Sequence, residues 1–146
     1  MNAPSKNNID AALLAKKCGF GMVLVHAGHG WMLHQFLSPI TNTRTDKWGG
    51  PEIENRSRLR SPSWTAFTSL RGRFPVEVRI SGSECYDGGY DIENGIAIAK
   101  QLDGHADLIH VSAGNHEVEE VFAVTHPSMF LEDGCNVHLA AEIKNT

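Results

Sequence analysis

Three things are scarce in this sequence, and each scarcity excludes a class of function. Cysteine is scarce: Cys18, Cys85 and Cys135 are widely separated and form no C-x-x-C pair. That argues against a disulfide framework or a local thiolate cluster, and the expectation is reduced thiols packed as small hydrophobes. Long apolar runs are missing as well. No uninterrupted stretch approaches the roughly 20 residues a membrane span needs, and MNAPSKNNID has none of the apolar core of a signal peptide. The expectation is a soluble, cytoplasmic protein with no membrane partner. Basic charge is also short, since the net charge of -4 disfavours a phosphate backbone as partner, so no nucleic acid is expected.

What is present is patterned for an α/β protein. Residues 22 to 26 (MVLVH), 75 to 81 (PVEVRIS) and 107 to 113 (DLIHVSA) are short apolar runs rich in β-branched residues, fit for strands of a parallel sheet. Residues 9 to 18 suit a helix with lysines late and Gly19 or Gly21 ending it. Asp91 to Leu102 suits another, with Asp91 as N-cap and Ile92, Ile96 and Ile98 or Ala99 on the inner side. A last helix is expected from about Asn136 to Lys144. Alternating strands and helices imply βαβ units, whose chemistry gathers at the C-terminal ends of the strands. At 146 residues the chain is long enough for one core but short of the roughly 200 to 250 residues of a complete eight-stranded barrel.

One stretch breaks the pattern. Between the first two strands a connecting helix is needed, yet residues 60 to 73 hold Pro62, three serines, two threonines, a glycine and no acid. Proline inside a helix costs about 3 kcal/mol. Either a shortened helix begins near Pro62, or the local sequence carries compensating frameshifts.

The chemistry concentrates in residues 25 to 56, VHAGHGWMLHQFLSPITNTRTDKWGGPEIENR. The ordered elements H-x-x-H, Q-F-L-S-P, N-x-R-T-D-x-W-G-G and E-N-R resemble the signature region of the old yellow enzyme, or NADH:flavin oxidoreductase, family. V-R-I-S-G-S-E at 78 to 84 and D-L-I-H-V-S-A-G at 107 to 114 fall where that family has its fifth and sixth barrel strands. The resemblance covers nearly the whole chain except the proline-containing stretch, and is nearest to the enoate, dienoyl-CoA and bile-acid-type branch. It implies a partial (β/α)8 TIM barrel, about strands four to six with their helices, so that residues 1–146 are a central fragment of an FMN-binding domain and no complete domain.

The resemblance also implies an activity for the longer parent. Hydride would pass from NADH or NADPH to FMN and on to a C=C bond beside a carbonyl, in an enone, enoyl thioester or steroid-type substrate. His26 and His29 would be the catalytic pair, donating hydrogen bonds to the carbonyl oxygen, and imidazole N–H groups are apt donors near neutral pH. Arg79 would lie against the flavin, and a cation within an apolar strand does require a partner. Arg44, Asp46 and Arg56 would hold their loop in shape. His116 and His126 would line a substrate entrance; His110 and Ser112 stay unassigned. Trp31 stands in the substrate site where many members have a proton-donating tyrosine, and indole is no practical acid. Solvent, Tyr86 or Tyr90 would then supply the proton, or the reaction would run as desaturation. The branch carries an iron–sulfur motif further along, so a cluster is admitted in the parent but not in this chain. Two other readings stay open: a truncated, noncatalytic product, and a zinc-binding hydrolase using the His26/His29/His34 cluster, although no metal is expected because the spacing lacks the usual carboxylate.

Overall fold

A computed structural model of the chain describes residues 3–59 and 74–146. The proline-containing stretch, with its shortened-helix and frameshift alternatives, lies outside the described residues.

Three parallel strands form one sheet in the order β1 (Val23–Ala27), β2 (Val76–Ser81), β3 (Leu108–Ser112). Around them run α1 (Ala3–Lys17), α2 (Met32–Leu37), α3 (Ile53–Arg56), α4 (Ile92–Leu102), α5 (Phe122–Thr125) and α6 (Val137–Lys144). Register follows the period-two alternation of side chains. Val23, Val25 and Ala27 pair with Val76, Val78 and Ile80, of which Val78 and Ile80 pair onward with Ile109 and Val111, so one face of the sheet is wholly apolar. Val76, Val78 and Ile80 are completely buried on that face, against Leu33 and Leu37 of α2 and Ile98, Ala99 and Leu102 of α4. Each such side chain contributes about 1.5 to 3 kcal/mol by leaving water.

The opposite face is different. Leu24, Glu77 and Leu108 form one row across the three strands and His26, Arg79 and His110 the next. Leu24 and Leu108 are about half exposed. Helices on one face, a polar row on the other and, among the described residues, two open sheet edges are the arrangement of one section of a (β/α) barrel.

Local details follow from local chemistry. The first helix ends where expected, with the Cys18 amide donating to the Leu14 carbonyl and Gly19 in the left-handed region at φ 87°. It begins earlier than the expected residue 9. The Asp91 carboxylate caps α4 by accepting from the Asn94 amide. The inner face of α4 meets expectation at Ile98 and Ala99 and differs from it at Ile92 and Ile96. Gly95, Ile98, Ala99 and Leu102 are buried, whereas Ile92 and Ile96 are half-buried. Gly95 sets this rotation: a Cβ there would lie 2.0 Å from the Gly82 carbonyl oxygen, so the helix backbone approaches the end of β2 through the glycine.

Candidate active site

All the expected site residues lie on the barrel-interior face or just beyond the C-terminal ends of the strands. His26 sits near the end of β1, and its Nδ1 accepts the Gly28 amide at 3.2 Å. That bond settles the tautomer, because a neutral ring accepting at Nδ1 carries its proton on Nε2. Burial, then the Arg79 charge, lower its pKa, so it is a neutral donor at ordinary pH.

His29 follows on a turn that bends unusually. Its φ is 57°, a left-handed conformation costing a non-glycine residue about 1 to 2 kcal/mol. Two partners hold it there. Its amide donates to Ser81 Oγ at 3.2 Å, and its backbone forms a bridge with Asn115, beyond β3. The ring is 3% exposed, and its Nε2 is buried without a hydrogen-bond partner among the described residues. Burial first, then Arg79 and His116, bring its pKa down to about 3. The two rings meet edge to face at 5.2 Å. A neutral pair, one nitrogen protonated and another unspent, is suited to hydrogen-bonding an oxygen that gains negative charge.

Arg79 lies between His26 and His110 in the strand register. Glu77 is taken by His110, whose Nδ1 is 2.7 Å from its carboxylate, and Arg79 Nε is buried with no hydrogen-bond partner among the described residues. A half-buried cation with a buried, unfilled donor atom fits an anionic or carbonyl-rich group lying on this face. Trp31 is 58% exposed, 6.3 Å from the His26 ring, and borders with Leu24, Met32 and His26 a cavity of about 420 Å³ along the open edge of β1.

His34 does not join the pair. Its Nδ1 accepts the Gly30 amide at 2.7 Å, its Nε2 lies 3.1 Å from the Tyr90 hydroxyl, and it is completely buried. Both ring nitrogens are therefore spent inside the protein. Among the described residues no group of three His, Cys, Asp or Glu side chains is arranged to hold a metal ion. His116 and His126 continue the site outward: His116 stacks on His29 at 4.7 Å and His126 on His116 at 4.8 Å, with Phe122 against His126.

The two tyrosines do not serve as expected. Tyr90 is 2% exposed, donates its hydroxyl to the Ser81 carbonyl at 2.7 Å, and has its pKa raised by burial and then by Glu84. Tyr86 donates to Glu84 Oε1 at 3.0 Å, and burial and the same carboxylate raise its pKa too. Both protons are committed to internal acceptors, so neither tyrosine is a ready acid.

Residues 5–128 match the profile of the NADH:flavin oxidoreductase / NADH oxidase family. The chain belongs to this family. It is 38% identical over 138 residues to an NADH oxidase of Thermoanaerobacter brockii, covering 93% of this chain and 21% of that protein. It is 42% identical over 106 residues to an NADPH dehydrogenase of Listeria monocytogenes, covering 71% of this chain and 30% of that protein. Among solved structures, a 2-naphthoyl-CoA reductase in complex with 2-naphthoyl-CoA aligns with a TM-score of 0.75 at 29% identity, over 97% of this chain and 22% of the other. Morphinone reductase aligns with a TM-score of 0.61 at 32% identity, over 75% of this chain and 30% of the other. The fold is thus a partial TIM barrel, and the chain spans about a fifth to a third of the length of the relatives it matches. The family is named for transfer between NADH and a flavin.

Within this flavin oxidoreductase section, the signature between Asn42 and Arg56 is a loop clasp. Asn42 Nδ2 donates to the Phe36 and Trp48 carbonyls, Arg44 pairs with Asp46, and Asp46 accepts the Trp48 amide. Arg56 is buried and donates to the carbonyls of Leu37, Gly50 and Pro51. Ser81 and Asn115, to which the sequence reading assigns no role, hold the His29 turn, and Glu84, likewise unassigned, holds the Asn115 side chain. Ser81 and Glu84 lie within the V-R-I-S-G-S-E run, and the signal common to all three is position: each polar residue lies at or just past the C-terminal end of a strand.

Proposed function

We propose that the chain is the central part of a longer FMN-dependent oxidoreductase that reduces, or forms, a C=C bond beside a carbonyl, with His26 and His29 as the carbonyl-binding pair. FMN, when bound, would supply the hydride, with NADH or NADPH as its source. Arg79 is the residue of this chain that would lie against it, and the unfilled buried Nε supports that placement. The substrate's carbonyl oxygen would sit between the two imidazoles. As hydride reaches the β-carbon, charge builds on that oxygen, and the neutral N–H donors stabilise it without rearranging. Trp31 would flank the substrate from the solvent side. With Tyr86 and Tyr90 committed elsewhere, water would deliver the α-carbon proton.

The observation that carries this reading is the pairing of a fixed Nε2–H on His26 with an unpartnered, buried Nε2 on His29. Enones, enoyl thioesters and steroid-type ketones all present the required oxygen. The likeness to a reductase bound to 2-naphthoyl-CoA favours the thioesters. An iron–sulfur cluster in the parent would draw its ligands from outside this chain, since Cys18, Cys85 and Cys135 lie apart in sequence and Cys18 and Cys85 are exposed.

The test uses the whole flavin-loaded protein, reduced with dithionite so that the nicotinamide step does not enter, and mixed with 2-cyclohexenone. His29→Ala and His26→Ala should each slow enone consumption by about 10²- to 10³-fold, the usual loss for a donor at a developing oxyanion. Wild-type rates in both variants would remove the pair from the chemistry.

A further inference from the structure

Glu84 takes no part in the carbonyl chemistry, yet it is a completely buried acid at the heart of the site's support. Its Oε1 accepts from the Tyr86 hydroxyl at 3.0 Å and from Asn115 Nδ2 at 3.1 Å, and its Oε2 from the Tyr90 amide at 2.9 Å. Three donors compensate the burial of a charge that would otherwise cost several kcal/mol, on the order of the known penalty per buried ion.

Two routes run from this carboxylate to the turn that carries His29. The first passes through Asn115, whose side chain is held by Glu84 while its backbone bridges His29. The next amide, that of His116, donates to the His29 carbonyl at 3.4 Å. Asn115 Oδ1 also lies so near Gly30 that a Cβ there would stand 2.5 Å away. The second route passes through His34. Its Nε2 lies 3.7 Å from Glu84 Oε1, so the carboxylate favours the tautomer with the proton on Nε2. That tautomer leaves Nδ1 free to accept the Gly30 amide. His29 and Gly30, with φ of 57° and 87°, are thereby gripped from both sides.

We propose that Glu84 is a positioning residue for His29: its buried carboxylate fixes, through Asn115 on one side and His34 on the other, the left-handed turn that aims the His29 ring. This rests on the assignment of His29 to the carbonyl oxygen. Glu84→Gln keeps the volume but turns an amide N–H toward protein donors, so at least one of the three bonds is lost.

A double-mutant cycle in the whole flavin-loaded protein, reduced with dithionite and mixed with 2-cyclohexenone, tests it. Glu84→Gln should slow enone consumption about ten- to a hundredfold, as displacement of a reacting group by roughly an ångström does. In a His29→Ala background the same change should cost less than about twofold, because a residue acting through His29 loses its leverage with it. Independently of turnover, the Gly30 amide should exchange hydrogen roughly tenfold faster in oxidised Glu84→Gln protein than in wild type. Equal slowing in both backgrounds, an unslowed Glu84→Gln, or unchanged Gly30 exchange overturns the proposal. If Glu84→Gln does not fold, Asn115→Ser, which cuts only the first route, enters the same cycle with the same criteria. A wild-type rate for His29→Ala alone would instead defeat the carbonyl assignment, while faster Gly30 exchange in Glu84→Gln would still report the grip on the turn.

Discussion

At the scale of single residues, the state of each histidine is set by what its ring nitrogens meet. His26 is a donor because Gly28 occupies its Nδ1; His34 is structural because Gly30 and Tyr90 occupy both sides. Burial keeps His29 and His34 neutral, with pKa values near 3 and 4 against an ordinary 6.5. Between pH 6.5 and 4 the unfolded chain therefore binds protons that the folded one does not. Stability is complete above about pH 6.5 and falls as the pH drops toward 4. Urea midpoints of the whole protein at pH 7 and pH 5 should show that fall, with a shallower slope in His34→Gln; a flat profile, or an unchanged slope, would contradict it. Trp31 carries the other prediction at this scale. Replacing it with tyrosine restores an acid beside His26, and Trp31→Tyr should speed consumption of poorly activated enones about tenfold or more. No acceleration would sink the view that protonation is left to water.

At the scale of elements, the strands were legible in sequence to within a residue, because runs such as VEVRI are short and set β-branched apolar residues at every second position. The Asp91 cap was legible too. The face of α4 was legible only in part: Ile98 and Ala99 are buried as expected, but Ile92 and Ile96 are not, because contact with Gly82 is decided by Gly95, which has no side chain. Gly95→Ala should accordingly destabilise the protein by about 1 to 3 kcal/mol despite alanine's better helix propensity, measured as a shifted urea midpoint. A neutral or stabilising result would mean that the helix stands further from β2. Loops divide in the same way. The Asn42-to-Arg56 clasp is readable as a motif because its ligands are close in sequence. The Glu84, Asn115 and Ser81 support is not, since its members meet only when the ends of β1, β2 and β3 are side by side.

At the scale of the whole molecule, the proposed function gives this chain one side of a site. The family and the partial barrel were legible in the ordered signature; the apolar side chains left exposed on the polar face show only in the structure. Among the described residues both sheet edges are open, and Leu24 and Leu108 lie about half exposed on the face that further strands of a barrel would cover. Arg79 alone among the expected residues would face the flavin, and one cation gives little hold on a large cofactor. The direct measurement is an FMN titration, followed by quenching of flavin fluorescence, of the isolated 146-residue chain beside the same chain extended on both sides into a complete barrel. The extended protein should bind one FMN per chain and the isolated chain should leave the fluorescence unchanged. Stoichiometric, tight binding by the isolated chain would contradict the account.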